Sequence, residues 1–81
     1  MKVRVTVMYK NGVLDPQGKT ILGSLHQLGY KDVSDVRAGK VLELTLPKLP
    51  KAQFDKRMKE MCEKLLANPV IEDYRIEVAE S

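Results

Sequence analysis

The first ten residues leave the chain few options. Val3, Val5 and Val7 alternate with Lys2, Arg4, Thr6 and Met8, the period of two that belongs to a strand with one buried and one wet face. That valine face has to be covered, and 81 residues provide one core with which to do it. A domain of this size buries only about 60% of the surface its unfolded chain exposes, so outside support is common. The single cysteine, Cys62, excludes an internal disulfide, and with the single histidine, His26, it falls short of the four ligands of a structural zinc site. Good packing and association with other chains are what remain. With no Trp and 5% aromatics against 43% hydrophobic residues, the core is aliphatic.

After the Asn11-Gly12 turn signal, Asp15-Pro16 reads as a helix start. Asp15 is placed to cap the first-turn amides, and Pro16 fits the first helical position, where its missing N–H has no partner. Ile21, Leu22, Leu25 and Leu28 then share one helical face, and Gly29 is suited to close the helix. Val33 to Arg37 is a weaker strand candidate, Ala38-Gly39-Lys40 a turn or bulge, and Leu42, Leu44 and Leu46 alternate again. The two pieces form either a hairpin or one long strand bent at Gly39. Pro47 and Pro50 bracket a stiff connector. A second helix starts near Lys51 or Ala52 and turns Phe54, Met58, Met61, Cys62, Leu65 and Leu66 to one side. Its outer face spaces opposite charges four apart, as in Asp55 with Lys59 and Glu60 with Lys64. Asn68-Pro69 ends it, and the last strand, Ile71 to Val78, points Tyr74, Ile76 and Val78 one way.

The predicted order is β-α-β-β-α-β, or one strand fewer if the middle pieces are continuous. This is an α+β fold of ferredoxin-like type: a single domain over residues 1–81, its antiparallel sheet carrying two helices on one face. If the helices cover the valines, the other sheet face exposes Met8, Val41, Thr45 and Ile71 among charges, a scatter suited to an oligomer interface.

No self-contained active site emerges. Cys62 lies on the apolar helix face as core filler, His26 on the polar flank of the first helix, and Glu72 and Asp73 point to opposite faces of a strand. No phosphate-binding glycine loop occurs. The net charge of +3 is gathered early: residues 1–40 hold seven Lys and Arg against three Asp, and the remainder seven against eight acids. Such a bias allows phosphate or acidic partners without requiring them. Nucleic acid is not expected, since the central strands offer no stacking aromatics and Tyr9, Tyr30 and Tyr74 sit at element ends or face inward. No apolar run nears the ~20 residues of a membrane span, and the N-terminus lacks the apolar stretch of a signal peptide. No membrane partner is expected, and the expected location is the cytoplasm.

Three stretches carry more than fold. Gly12 to Gly18 reads GVLDPQG, Val36 to Lys40 reads VRAGK, and Leu65 to Tyr74 reads LLANPVIEDY. In this order and spacing they resemble the PurS family, the small subunit of the three-component phosphoribosylformylglycinamidine synthase of purine biosynthesis. The resemblance runs from the first strand to the last. It implies a non-catalytic subunit that dimerises or forms a higher homo-oligomer, bridges a glutaminase subunit and a synthetase subunit, and assists ammonia transfer between them. ATP and magnesium would belong to the synthetase, with no cofactor or metal held by this chain. The residues it singles out for subunit contacts are Asp15, Gln17, Gly18, Arg37, Gly39, Lys40, Asn68, Glu72 and Tyr74. Capping explains Asp15 and Pro16. Gly18, so early in a helix, costs roughly 0.5–1 kcal/mol relative to Ala and suggests close approach of a partner's backbone. The alternative reading is a stand-alone ligand-binding or regulatory domain of the same fold.

Overall fold

The computed structural model describes residues 1–80. Strand β1 (Lys2–Tyr9) is the one the alternation predicts, and it lies at the centre of a three-stranded antiparallel sheet, between β2 (Gly39–Thr45) and β3 (Glu72–Glu80). Register follows the apolar pattern. Val3 pairs with Leu44 and Val78, Val5 with Leu42 and Ile76, and Val7 with Lys40 and Tyr74. Residues directly opposite share a face, so the valines, leucines and Ile76 form one apolar surface. The other surface is polar, with Arg4 between Glu43 and Glu77 and its guanidinium 3.1 Å from Glu43. Val41 and Thr45 are exposed on that outer face as expected, while Ile71 lies in the turn before β3 and accepts a hydrogen bond from the Lys10 amide.

Helix α2 (Lys51–Met61) covers the apolar surface and continues as a π-helical turn, Cys62–Leu66. Val3, Val5, Val7, Met58 and Cys62 are at most 1% exposed. Burying a side chain such as Val or Met contributes ~1.5–3 kcal/mol, so this small cluster holds most of the hydrophobic stability. Phe54, Met61, Leu66 and Ile76 pack around it.

Fold class and antiparallel sheet are as expected, in the form with one middle strand: the order is β-α-β-α-β. Val33 to Arg37 is not a strand. Its backbone is engaged elsewhere, since the Ala38 amide donates to the Asp15 carboxylate at 2.7 Å and the Val36 carbonyl lies against Gly18. Both helices were expected on one sheet face, yet α2 alone closes the core. Helix α1 (Pro16–Gln27) rests on the 33–38 segment and contributes nothing to the buried cluster. Leu22, Leu25, Val33 and Val36 are half-buried there, while Ile21 and Leu28 face outward.

Leu65 also departs from its predicted place. In an α-helix it would share the face of Met58 and Cys62; instead it is 82% exposed. The Ala67 amide donates to the Cys62 carbonyl at 2.8 Å, the five-residue spacing of a π-turn. This wider turn advances each residue through a smaller angle, bringing Leu66 inward and leaving Leu65 on the flank. None of the four-spaced charge pairs expected along α2 closes to ion-pair distance among the described residues; the pair that forms is Lys51 with Asp55, at 3.1 Å.

Candidate functional site

Eight of the nine singled-out residues gather where β1 ends and β2 and β3 begin, in three adjoining groups, with Tyr74 linking the last group to α2.

The first group is built on Asp15. Its Oδ1 accepts from the Gly18 amide at 2.9 Å, which is the helix cap, and its Oδ2 accepts from the Ala38 amide at 2.7 Å. One carboxylate therefore fixes both the start of α1 and the approach to β2. The Gly18 and Ala38 amides hold the Asp15 carboxyl below the usual carboxylate range, and the Arg37 and Lys19 charges act in the same direction. Gly18 answers a close approach, as the sequence suggests, but the neighbour is the chain's own Val36 carbonyl and not a partner. A Cβ there would also fall 2.7 Å from Asp15 Oδ2. Arg37 reaches over this junction and donates to the Tyr9 carbonyl.

The second group lines an open cavity of about 260 Å³ formed by Val7, Tyr9, Gln17, Gly39, Lys40 and Glu72 together with Ala38. Gly39 lets β2 run close to β1, since a Cβ would meet the Val7 carbonyl and the Met8 thioether. Lys40 stands opposite Val7 and Glu72 opposite Tyr9, which puts a cation and an anion on the same side of the sheet end. Gln17 and Lys40 are exposed, and Lys40 forms no ion pair among the described residues. Lys40 and Gln17 are therefore the members of the set that remain available to a partner.

The third group shapes the turn from α2 into β3. The Asn68 amide donates to Glu72 Oε1 at 2.7 Å, and Asn68 Oδ1 accepts from the Val70 amide at 3.1 Å. The Asn68 carbonyl takes the Ile71 and Glu72 amides. Tyr74 donates its hydroxyl to Glu63 at 3.2 Å, tying β3 to the π-turn; its phenol pKa is raised, first by burial and then by that hydrogen bond.

The two groups with nucleophile or base chemistry stay apart from all this. Cys62 is in the core, its thiol pKa pushed up by burial and by Glu63. His26 Nε2 lies 2.8 Å from the Val33 carbonyl, where it ties the last turn of α1 to the return segment. No three His, Cys, Asp or Glu side chains converge as a metal site among the described residues. No described helix is long and apolar enough to cross a membrane.

Set beside known proteins, residues 2–80 match the PurS family model, described as phosphoribosylformylglycinamidine (FGAM) synthase. The chain belongs to the PurS family. It is 56% identical over 79 residues to the phosphoribosylformylglycinamidine synthase subunit PurS of Bacillus subtilis, covering 98% of this chain and 93% of that one. To the PurS subunit of Methanocaldococcus jannaschii it is 40% identical over 77 residues, covering 95% and 93%. Among solved structures, Bacillus subtilis PurS superposes with a TM-score of 0.88 over 98% of both chains. A chain in the structure of PurLQS from Thermotoga maritima superposes with a TM-score of 0.81 at 34% identity, covering 94% and 93%. The sheet, helices and termini of the PurS fold are thus present over nearly the whole sequence.

Sequence reasoning missed two features that bear on function. The turn into the π-helix has no local signal, so Leu65 was counted as core. The inward pull of the 33–38 segment onto α1 was legible only as an oddly placed Gly18.

Proposed function

We propose that this chain is the small, non-catalytic subunit of a glutamine-dependent phosphoribosylformylglycinamidine synthase, acting in de novo purine biosynthesis in the cytoplasm. The observation that carries the reading is family membership over residues 2–80. The occurrence of a similar chain in PurLQS of Thermotoga maritima supports assembly with synthetase and glutaminase subunits. ATP and magnesium bind the synthetase, where formylglycinamide ribonucleotide is amidated. This chain bridges the two larger subunits and helps ammonia pass between them, away from water that would protonate it and remove its nucleophilic lone pair.

The chemistry of its surface fits a scaffold. Asp15, Gly18, Arg37, Asn68, Glu72 and Tyr74 are engaged in holding the sheet end in shape, and they present Lys40 and Gln17 in an open cavity to an acidic or amide group of a partner. Rigid support beneath exposed polar contacts is what a specific docking surface requires. The chain also pairs with itself. Its accessible surface is 6017 Å², whereas a compact monomer of this mass exposes about 4,900 Å².

Co-purification tests the assignment. Tagged chain expressed with the synthetase and glutaminase subunits should recover both, and a Lys40→Glu variant should recover less of them. Recovery of neither by the unaltered chain would refute the reading.

A further inference from the structure

The outward side of α1 and the exposed flank of α2 are both apolar, and neither has a cover within the chain. We infer that they cover each other between two copies: α1 of each protomer seats in a groove of its partner between β2 and the C-terminal end of α2. This deepens the self-association proposed above and rests on it.

The surface area argues for a second copy. The excess over a compact monomer, roughly 1,100 Å², compares with the ~800 Å² per partner of a standard stable interface. It comes from shape: the chain extends over 50 × 26 × 15 Å with a radius of gyration of 16.1 Å, against about 12 Å for a compact domain of this length. Helix α1 accounts for the extension. Twelve residues are too few for a helix to be stable in water unaided, and one side of α1 rests only on the 33–38 segment. The other side exposes Leu28 at 73% and Ile21 at 39%, with Leu14 at 69% beyond the helix start.

The receiving groove, about 400 Å³, is lined by Leu44, Met61, Leu65 and Leu66, with Glu60 and Lys64 at its edge. It lies on the covered side of the sheet beside α2, where a two-layer fold places its second helix. The π-turn creates it by leaving Leu65 outside the core, and such turns are frequent at functional positions. Its edge carries one charge of each sign, and the Gln17 and Ser24 flank of the helix is neutral, so the seat meets no like-charge repulsion.

The helix of the same chain is held away from this groove. Asp15 with Ala38, Gly18 against Val36 and His26 with Val33 pin α1 along its length to the return segment. A second copy supplies the same helix without breaking any of these contacts, and a reciprocal exchange closes at two chains.

Two substitutions at exposed positions test the seat: Leu28→Asp on the helix and Leu65→Asp in the groove. Circular dichroism should show each variant folded. Sedimentation equilibrium should show self-association weakened at least about tenfold in each, since a charge is placed at the centre of an apolar contact. Mixed in equal amounts, the two variants retain one undamaged helix–groove contact per mixed pair. Native mass spectrometry should then find the mixed pair in excess over both parental pairs. Association that survives both substitutions, or that is lost in both without recovery on mixing, overturns the reciprocal seat while leaving self-association standing. An unaltered chain that stays monomeric at micromolar concentration overturns both.

Discussion

Gly18 and Gly23 stand five residues apart in α1, and replacing each with alanine should move stability in opposite directions. Alanine favours a helix over glycine by roughly 0.5–1 kcal/mol, and at Gly23 nothing lies within 4 Å of the added methyl. Gly23→Ala should therefore stabilise by about that amount. At Gly18 the same methyl meets the Val36 carbonyl and stands 2.7 and 2.9 Å from the Asp15 carboxylate atoms. Backbone and a doubly bonded carboxylate cannot turn aside as a flexible side chain would. Forcing a group into packed space costs about 1–3 kcal/mol, and here the upper part of that range applies, because relief requires α1 to leave Ala38 as well. After the helix gain is subtracted, Gly18→Ala should destabilise by about 1–2 kcal/mol. For a domain of this size that lowers the melting temperature on the order of 5–15 °C. Thermal or urea unfolding followed by circular dichroism measures both variants, at one protein concentration because association contributes to stability. A Gly18→Ala chain as stable as the unaltered one, or stabilised alongside Gly23→Ala, would show that the packing of α1 on the 33–38 segment does not govern this position.

Asp15 should impart an acid limit. Its carboxyl pKa is depressed in the folded chain, so the stability it gives is present above the ordinary value near 3.8 and is lost as pH falls through the folded value. Asp15→Asn, with one acceptor oxygen for two amides, should be less stable near neutrality and lack that part of the acid transition; an unchanged acid limb would count against the double cap. Cys62, fully buried, should react with a thiol reagent at least about a hundredfold more slowly than in the unfolded chain. Its raised pKa means that the unfolded chain loses its proton first, so stability should fall as pH rises above about 9; reaction at the unfolded rate would place the thiol outside the core. Lys40→Glu should weaken capture of the synthetase and glutaminase subunits with a stability change within about 0.5 kcal/mol, whereas Arg37→Glu should also lower the melting temperature because it loses the Tyr9 carbonyl. Equal melting points with equal capture would contradict the separation of docking from support.

These predictions lean on features that were unequally readable in the sequence. The alternation of Val3, Val5 and Val7 located the central strand and its buried face, because a period of two admits no other reading over that length. Asp15-Pro16 located the start of α1 for an equally local reason. Where tertiary contact overrode local pattern, the sequence was silent. Val33 to Arg37 has strand-like residues, but its polar backbone groups are taken by Asp15 and by the approach to Gly18, a choice made between segments more than twenty residues apart. Leu65 follows the α-helical period and is displaced by a single π-turn. The three motifs converge on one end of the sheet, and most of their residues support that end rather than reach out from it. Spacing along the chain distinguishes neither role, since a side chain that braces a turn and one that meets a partner have the same polarity.

The central claim is that this chain couples glutamine hydrolysis to amidation without performing either. The direct measurement is FGAM formation by purified synthetase and glutaminase subunits, driven by glutamine or by ammonium salt, with and without this chain. The account predicts that glutamine-driven synthesis depends on the chain and that ammonia-driven synthesis depends on it much less. Glutamine-driven synthesis at full rate in its absence would contradict the claim.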